Sequence, residues 1–182
     1  MILGLAGWSG SGKTTLIKNL LPKLKKFNIS VSTIKHAHEG FDLDKPGKDS
    51  FIHREAGAQE VLISSSKRFA LMSDYTNKET SLTELITKLT PVDLVLVEGW
   101  KKENIKKIEV YRKEVNKPLL ALHDKNIIAI ATNDKNIKMN KVISLDINNY
   151  DSIANFIKKK IEEEKIKWRN WQKTLNLMEI SY

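Results

Sequence analysis

One short segment near the start of the chain constrains the fold more than any other feature. Residues Gly7 to Thr14 read GWSGSGKT and fit the pattern G-x-x-x-x-G-K-[ST] in full. The segment follows the apolar run Ile2 to Ala6 and precedes a stretch in which Leu16, Leu20 and Leu24 recur at helical spacing. A strand, a glycine-rich loop and a helix in this order are the context in which such a pattern binds phosphate.

The residue types of this loop suit a nucleotide triphosphate. Glycines let the backbone turn so that successive N–H groups point at phosphate oxygens, and the start of a helix adds positive charge. Lys13 supplies an ammonium for the β- and γ-phosphates and is assigned a catalytic role, while the Thr14 hydroxyl is a ligand for Mg²⁺. An ordinary glycine-rich turn is the alternative. The predicted phosphate site comprises Gly7, Ser9, Gly10, Ser11, Gly12, Lys13, Thr14 and Thr15.

A second apolar run, Asp93 to Glu98, ends in a carboxylate and is followed by Gly99. Nucleotidases of this kind need an acidic residue at the end of a neighbouring buried strand, to hold Mg²⁺ or its water. We therefore predict that Glu98 is a catalytic group and, with Thr14, a metal ligand. Because no side chain blocks it, the Gly99 N–H can approach a γ-phosphate. A role for Glu98 as a base, or as a solvated strand end, remains open.

Asn133 and Asp134 follow the apolar run Ile127 to Ala131 and are candidates for contact with the base. A carboxylate accepts hydrogen bonds from both N1–H and the exocyclic amino group of guanine, whereas adenine leaves it unpaired. Asp134 is thus the predicted guanine reader. The order of residues departs from N-K-x-D, and a plain Asn-Asp turn explains the pair equally well.

The stretch from His36 to Ala58 lacks periodicity, contains Pro46-Gly47 and is predicted to be a long functional loop. His36 and His38 alternate and would point the same way on a strand end, which is one way to hold a metal. Aspartates of this loop can reach Mg²⁺ or its water shell, and its cations can pair with phosphates, with the arginine also catalytic. These candidates are Asp42, Asp44, Lys48 and Arg54. An exposed charged loop is the alternative.

The remaining apolar runs alternate with helical stretches and predict an α/β fold. We expect a three-layer P-loop arrangement with a mostly parallel central sheet and right-handed crossovers. Further strands are predicted at Val31–Lys35, Ile108–Tyr111, Ile127–Ala131 and Val142–Leu145, a hairpin at Glu60–Ser64 and Phe69–Met72, and helices at Thr14–Phe27 and Ser81–Leu89. Pro22 is expected to kink or interrupt the first helix.

Two divisions of the chain are predicted: a nucleotide-binding domain over residues 1–150 and a helical extension over residues 151–182. The extension carries an apolar stripe, which packs on the domain or docks on a partner. The stripe consists of Ile153, Phe156, Ile157, Ile161, Trp168, Trp171 and Leu175.

Composition narrows the class of protein without choosing the function. The chain has no cysteine, which excludes disulfides, thiolate metal sites and a cysteine nucleophile. The longest strictly apolar run, Ile127 to Ala131, is far shorter than the ~20 residues that span a bilayer. With no basic leader before a long apolar stretch, we expect a cytoplasmic protein that has no membrane partner. The net charge of +9 favours anionic partners of several kinds.

Three stretches together resemble one known family. GWSGSGKTT, then IKHAHEGFDLDKPGKDS with HREAGA, and then LVEGWK are similar to the molybdopterin-guanine dinucleotide biosynthesis protein B (MobB) family, from Met1 to about Leu145. DKPGKDS and HREAGA are far more specific than the loop motif. Trp100 stands where the family pattern usually has another aromatic residue, and the part after Tyr150 matches nothing in that pattern.

The resemblance implies a GTP-binding accessory protein of molybdenum cofactor maturation. Such proteins are P-loop proteins of the GTPase kind that bind GTP with Mg²⁺, hydrolyse it weakly, and form homodimers. They assist the molybdopterin guanylyltransferase that joins a guanosine phosphate to molybdopterin. The residues alone leave a small-molecule kinase and a metal-insertion GTPase chaperone open as alternatives, and nucleic acid is not the expected partner.

Overall fold

The computed structural model describes residues 1–37, 40–74 and 79–179, with side chains described up to residue 169. The chain forms two compact units, one of which joins Met1–His36 to Leu89–Tyr182 while the other is Ala37–Lys88. The predicted boundary at residue 150 stays a prediction. In the described ranges, no helix is both long enough and apolar enough to cross a bilayer.

Eight strands and four α-helices make up the described part of the chain. The strands are β1 (Ile2–Ala6), β2 (Val31–Lys35), β3 (Glu60–Ser64), β4 (Phe69–Ser73), β5 (Leu94–Glu98), β6 (Lys107–Tyr111), β7 (Ile127–Thr132) and β8 (Ile143–Asp146). The helices are α1 (Lys13–Lys26), α2 (Asp49–Glu55), α3 (Leu82–Thr87) and α4 (Tyr150–Glu179). Single 3₁₀ turns lie at Lys113–Val115 and Leu120–Leu122.

The first unit is built on a six-stranded sheet with the order β2-β5-β1-β6-β7-β8, in which every neighbouring pair is parallel. This confirms the predicted α/β fold and each predicted strand. Since β1 lies between β5 and β6, the loop that follows β1 opens at the carboxyl edge of interior strands. Ligands bind at this edge in open parallel sheets.

One face of this sheet forms the core with α1 and α4. Alternate residues of the interior strands point to that face, as the period of two requires, and they meet the leucines of α1 and the apolar stripe of α4. The buried residues are Leu3, Leu5, Leu94, Leu96, Ile108, Val110, Ala129 and Ala131 from the strands, with Leu16, Leu20, Leu24, Ile153, Ala154, Ile157 and Ile161 from the helices. This packing fixes the start of α1 relative to β1.

On its other face, β6 carries two buried charged side chains. The Glu109 carboxylate is fully buried and accepts hydrogen bonds from the N–H groups of Leu120 and Ala121, each at 2.8 Å. Burial raises the pKa of Glu109 above its ordinary value, against the effect of these two N–H groups. Lys107 donates to Asp124 Oδ2 at 2.8 Å. Both side chains thus anchor loops that follow β6.

The expectation that Pro22 interrupts the first helix is wrong, because α1 runs without a break from Lys13 to Lys26. Proline removes only the N–H that would donate to the Lys18 carbonyl. Both residues are exposed, so water can satisfy that carbonyl. Leu20 and Leu24 on either side of Pro22 are fully buried in the core and hold the helix in place.

The stretch predicted as one long loop instead contains a short helix, α2. Two turns are too few to show apolar periodicity, and Lys48 at the N-cap makes no side-chain capping bond. The sequence therefore offered neither of the usual helix signals. The capping box predicted at Ser81 is confirmed, since its hydroxyl accepts the Glu84 N–H while the Glu84 carboxylate accepts the Ser81 N–H.

The second unit holds the predicted hairpin, in which β3 and β4 pair antiparallel from Glu60↔Ser73 to Ser64↔Phe69. Several of its large apolar side chains are exposed, namely Leu62, Ile63, Phe69 and Leu71. The first part of the C-terminal helix α4 packs on the core of the first unit. Ile153, Ile157 and Ile161 are buried there, which is one of the two arrangements predicted for the apolar stripe. Trp168 is exposed, and the side chains of Trp171 and Leu175 lie outside the described residues.

Candidate functional site

The loop between β1 and α1 has the backbone shape that its glycines predict. Gly7 has φ 146°, and a Cβ there would lie 2.5 Å from the Val110 carbonyl oxygen and 2.7 Å from Ser11 Oγ. Side chains are therefore excluded at Gly7. At the other end of the loop, Gly12 caps α1 with φ 98° and without any side-chain bond, which leaves the first amides of the helix open towards the loop.

Lys13 points back into this loop. Its ammonium donates to the carbonyl oxygens of Gly7 and Trp8, each at 3.0 Å. Burial lowers the pKa of Lys13, and the charges of Lys101 and Lys35 lower it further, while Glu98 raises it. Two further cations and one carboxylate therefore act on Lys13, and a polyanion bound beside Lys13 would be stabilised by the excess positive charge.

Glu98 occupies the carboxyl end of β5, where β5 pairs with β1 on one side and with β2 on the other. Its backbone carbonyl accepts the His36 N–H at 2.8 Å. The following Gly99 has φ 103°, and a Cβ there would lie 2.7 Å from the Cβ of His36. The His36 ring also packs on Trp100, with centroids 4.9 Å apart. These contacts fix the carboxylate at the same sheet edge as Lys13.

Trp8 ties the loop to the segment after β6. Its indole Nε1 donates to the Pro118 carbonyl at 2.8 Å. The ammonium groups of Lys101 and Lys117 lie 4.6 Å and 5.8 Å from the ring centroid. The sequence alone did not single out Trp8, Lys35 or Lys101, because their contacts join residues far apart in the chain.

Arg112 is a fourth residue near the loop that the sequence did not point to. It directly follows β6, the strand beside β1. The Nε and Nη2 atoms of its guanidinium lie 3.4 Å and 3.9 Å from the position that a Cβ on Gly12 would take. Its cation therefore lies against Gly12, the residue that caps α1. A basic residue one step beyond a predicted strand next to the loop strand is the signal that could have found it.

The predicted base readers lie together after β7, in a tight turn. The Asn133 amide donates to Glu114 Oε1 at 3.1 Å. Asp134 Oδ1 accepts the Asn136 N–H at 2.9 Å, and the Asp134 N–H donates to the Thr132 hydroxyl. One carboxylate oxygen of Asp134 is thus engaged locally, as in an Asx turn. The assignment of Asp134 to guanine stays a prediction.

The loop candidates of the second unit pair with each other. Arg54 Nη2 donates to Asp42 Oδ1 at 3.0 Å and to Asp44 Oδ1 at 3.1 Å. The hydrogen bond that Arg54 donates to Asp44 raises the pKa of Arg54. Lys48 is exposed at the start of α2. The predicted roles of all four in binding remain predictions, and the charge of Arg54 is balanced by the two aspartates.

The donor set for a metal is sparse. Residues 1–37, 40–74 and 79–169 contain no cluster of three or more His, Asp or Glu side chains that could enclose an ion. His38, one of the two predicted histidine ligands, lies outside the described residues. Mg²⁺ at nucleotide sites needs only one or two protein ligands, because phosphates and waters supply the others. Thr14 and Glu98 are two in number, and their role as Mg²⁺ ligands stays a prediction.

A buried hydroxyl also fits a loop that binds an anion. Ser11 Oγ is buried and has no hydrogen-bond partner among the described residues. It lies 2.7 Å from the position that a Cβ on Gly7 would take, which places it inside the turn of the loop. Unpaired buried donors are rare and favour a ligand or water that accepts from them.

Comparison with known proteins points to one family. The family model for molybdopterin guanine dinucleotide synthesis protein B, MobB, matches residues 2–133. The chain is 44% identical over 158 residues to a molybdopterin-guanine dinucleotide biosynthesis adapter protein of Haemophilus influenzae, covering 86% of each chain. It is 40% identical over 161 residues to the Escherichia coli protein of the same name, covering 86% of this chain and 90% of that one.

A solved structure supports the same relationship. The fold matches a crystal structure of molybdopterin-guanine biosynthesis protein B with a TM-score of 0.71 at 26% identity, over 89% of this chain and 99% of that one. The predicted fold class and the resemblance noted in the sequence are therefore confirmed.

Proposed function

Since the chain belongs to the MobB family, we propose that it is an adapter in molybdopterin guanine dinucleotide biosynthesis that binds GTP with Mg²⁺ in its β1–α1 loop. In this role it assists the guanylyltransferase that attaches a guanosine phosphate to molybdopterin.

The observation that carries this proposal is the state of Lys13. Its ammonium is held over the loop by the Gly7 and Trp8 carbonyls at 3.0 Å each, at the start of a helix with open amides. A phosphate entering the loop would accept from these amides and from Lys13 together. Burial, and then the charges of Lys101 and Lys35, lower the pKa of Lys13, so a bound polyanion would also relieve the repulsion of Lys13 by these two lysines.

Mg²⁺ would be held by the Thr14 hydroxyl and by Glu98, directly or through water. When bound, the ion would neutralise charge on the β- and γ-phosphates. Thr14 is exposed at the first turn of α1, and Glu98 acts electrostatically on Lys13. Both groups are therefore available at the same edge of the sheet.

Hydrolysis in this site is expected to be weak. Arg54, the arginine that the sequence suggested for transition-state charge, is paired with Asp42 and Asp44. A paired guanidinium must first exchange its carboxylates before it can stabilise another anion. The two glutamines, Gln59 and Gln172, lie outside the loop motifs.

Guanine selectivity is assigned to Asp134, with Asn133 beside it.

A homodimer is the proposed assembly. The β3–β4 hairpin exposes Leu62, Phe69 and Leu71. An isolated two-stranded hairpin is at best marginally stable in water, and an exposed apolar patch usually marks an interface. A second copy of the chain that covers this hairpin would stabilise its two strands and would remove the apolar side chains from water.

The test is a competition of GTP against ATP on the wild-type protein and on Lys13→Ala, with and without Mg²⁺. We expect GTP to bind more tightly than ATP, Mg²⁺ to strengthen binding, and Lys13→Ala to lose about 10- to 100-fold in affinity, the usual effect of one charge-assisted contact. Lys18→Ala is the matched control, since Lys18 is an exposed lysine of the same helix.

Two results would contradict the proposal. Equal or better binding of ATP would favour a small-molecule kinase, and transfer of the γ-phosphate to a metabolite would establish it. Unchanged affinity in Lys13→Ala would remove the phosphate loop from the mechanism. Asp134→Ala separates the base reader from the loop, because it should reduce the preference for GTP over ATP and leave triphosphate binding intact.

A further inference from the structure

Arg112 lies beside the β1–α1 loop, and no described side chain forms an ion pair with it. Its guanidinium nitrogens lie 3.4 Å and 3.9 Å from the Cβ position of Gly12, the residue that caps α1. Gly12 is also the last residue of the loop before Lys13. The approach is close because Gly12 has no side chain. The cation therefore lies at the end of the loop where α1 begins.

The surroundings of Arg112 offer it little compensation. Arg112 takes part in none of the ion pairs among the described residues. Glu114 interacts with it electrostatically, beyond ion-pair distance, and Glu114 is already hydrogen-bonded to Asn133. A guanidinium carries five donors in a fixed fork, and here the side-chain donors have no described partner. Arg112 is also half-buried, so water hydrates it incompletely.

The contrast with Arg54 shows what an engaged arginine looks like in this chain. Arg54 donates to two carboxylates, at 3.0 Å and 3.1 Å. The two carboxylates balance the charge of Arg54. Arg112 has no such partner among the described residues, and its guanidinium lies against the last glycine of the loop. Forked, bidentate binding of phosphate is the characteristic use of arginine at such a position.

We propose that Arg112 is a nucleotide-binding residue that donates its guanidinium fork to the phosphates held by the β1–α1 loop. This inference rests on the proposed binding of a nucleoside triphosphate and assigns the site a second cation besides Lys13. Glu109, three residues earlier on β6, helps to position it, because its buried carboxylate accepts the Leu120 and Ala121 N–H groups and so holds the segment that begins at Arg112 against the strand.

The test compares Arg112→Ala, Arg112→Lys and the wild-type protein, with Arg169→Ala as the control. Arg169 is an exposed arginine of α4, so its removal changes the net charge equally. The probes are a fluorescent GTP analogue and inorganic tripolyphosphate as its competitor. Arg112→Ala should weaken both by about 10- to 100-fold. Arg112→Lys should recover part of the loss, since it keeps the charge and loses the fork.

Each result has a distinct meaning. If the wild-type protein binds GTP while Arg112→Ala binds it equally well, the assignment of Arg112 is wrong and the phosphate loop stands. If Arg112→Ala loses GTP but keeps its tripolyphosphate affinity, the arginine contacts the nucleoside and the proposed phosphate contact is wrong. If the wild-type protein binds neither probe, the proposed function itself fails, and this inference with it. Circular dichroism of each variant shows that the fold is retained.

Discussion

Removal of the buried carboxylate of Glu109 gives the sharpest test of the packing around the candidate site. Glu109 is fully buried and accepts two backbone N–H groups at 2.8 Å. Glu109→Ala leaves both N–H groups without an acceptor, at about 1 to 3 kcal/mol each. Part of this loss of stability is offset, because the variant no longer has to bury a carboxylate. We expect the free energy of unfolding to fall by about 2 to 4 kcal/mol.

Urea denaturation followed by circular dichroism measures this change at neutral pH. Glu109→Gln is the matched variant, because its amide has one oxygen acceptor and should cost about half as much as alanine. A cost of less than about 0.5 kcal/mol for Glu109→Ala, the range of ordinary surface substitutions, would show that the two N–H groups do not need this acceptor. A glutamine variant as unstable as the alanine variant would show that the oxygen acceptor is not what stabilises the fold.

The same residue predicts a pH dependence. Burial raises the pKa of Glu109, so the folded state binds a proton more tightly than the unfolded chain. Its contribution to stability is therefore complete below the ordinary glutamate pKa of about 4.3 and is lost as the pH rises through the raised value. Relative to Glu109→Gln, the wild-type protein should lose stability over this interval. A flat difference between the two proteins would show that the carboxyl titrates alike in both states.

Three further changes test other parts of the molecule. Gly7→Ala forces a side chain into a positive φ against the β6 backbone, so GTP affinity should fall about tenfold or more in a titration. Lys107→Ala leaves Asp124 without its partner and should cost about 2 to 4 kcal/mol by denaturation, whereas Lys106→Ala at an exposed pair should cost under about 1 kcal/mol. Phe69→Glu places charge on the exposed hairpin and should weaken self-association in sedimentation; an unchanged mass would argue against that interface.

The fold was predictable because its signals are local. Each signal spans only a few residues: the apolar runs predict β1, β5 and β7, and the leucine spacing predicts α1. The loop motif lies between β1 and α1. Short range also explains the confirmed capping box at Ser81. The helix α2 was not predictable, because seven residues carry too little periodicity and Lys48 provides no capping bond.

Parts of the candidate site were hidden for a different reason. In β6, the alternation of Lys107, Ile108 and Glu109 is typical of a strand with one solvated face. The strand instead lies in the interior of a parallel sheet, where both faces are covered, so its charged residues are buried and bind loops. Only the strand order reveals this, and the order depends on pairings between distant segments. The closeness of Arg112 to Gly12 depends on the same pairing.

The order of the sheet also has a consequence for synthesis of the protein on the ribosome. The first two strands pair with no earlier segment: β2 pairs with β5, and β1 pairs with β5 and β6. Both partners emerge only after the whole inserted unit Ala37–Lys88 has been translated, a delay of several seconds at about 5 to 20 residues per second. The hairpin of that unit can form in the meantime from its own neighbouring strands. The β1–α1 loop is thus made before β5 and β6, the strands that pair with β1, and it acquires its shape only once they have been translated.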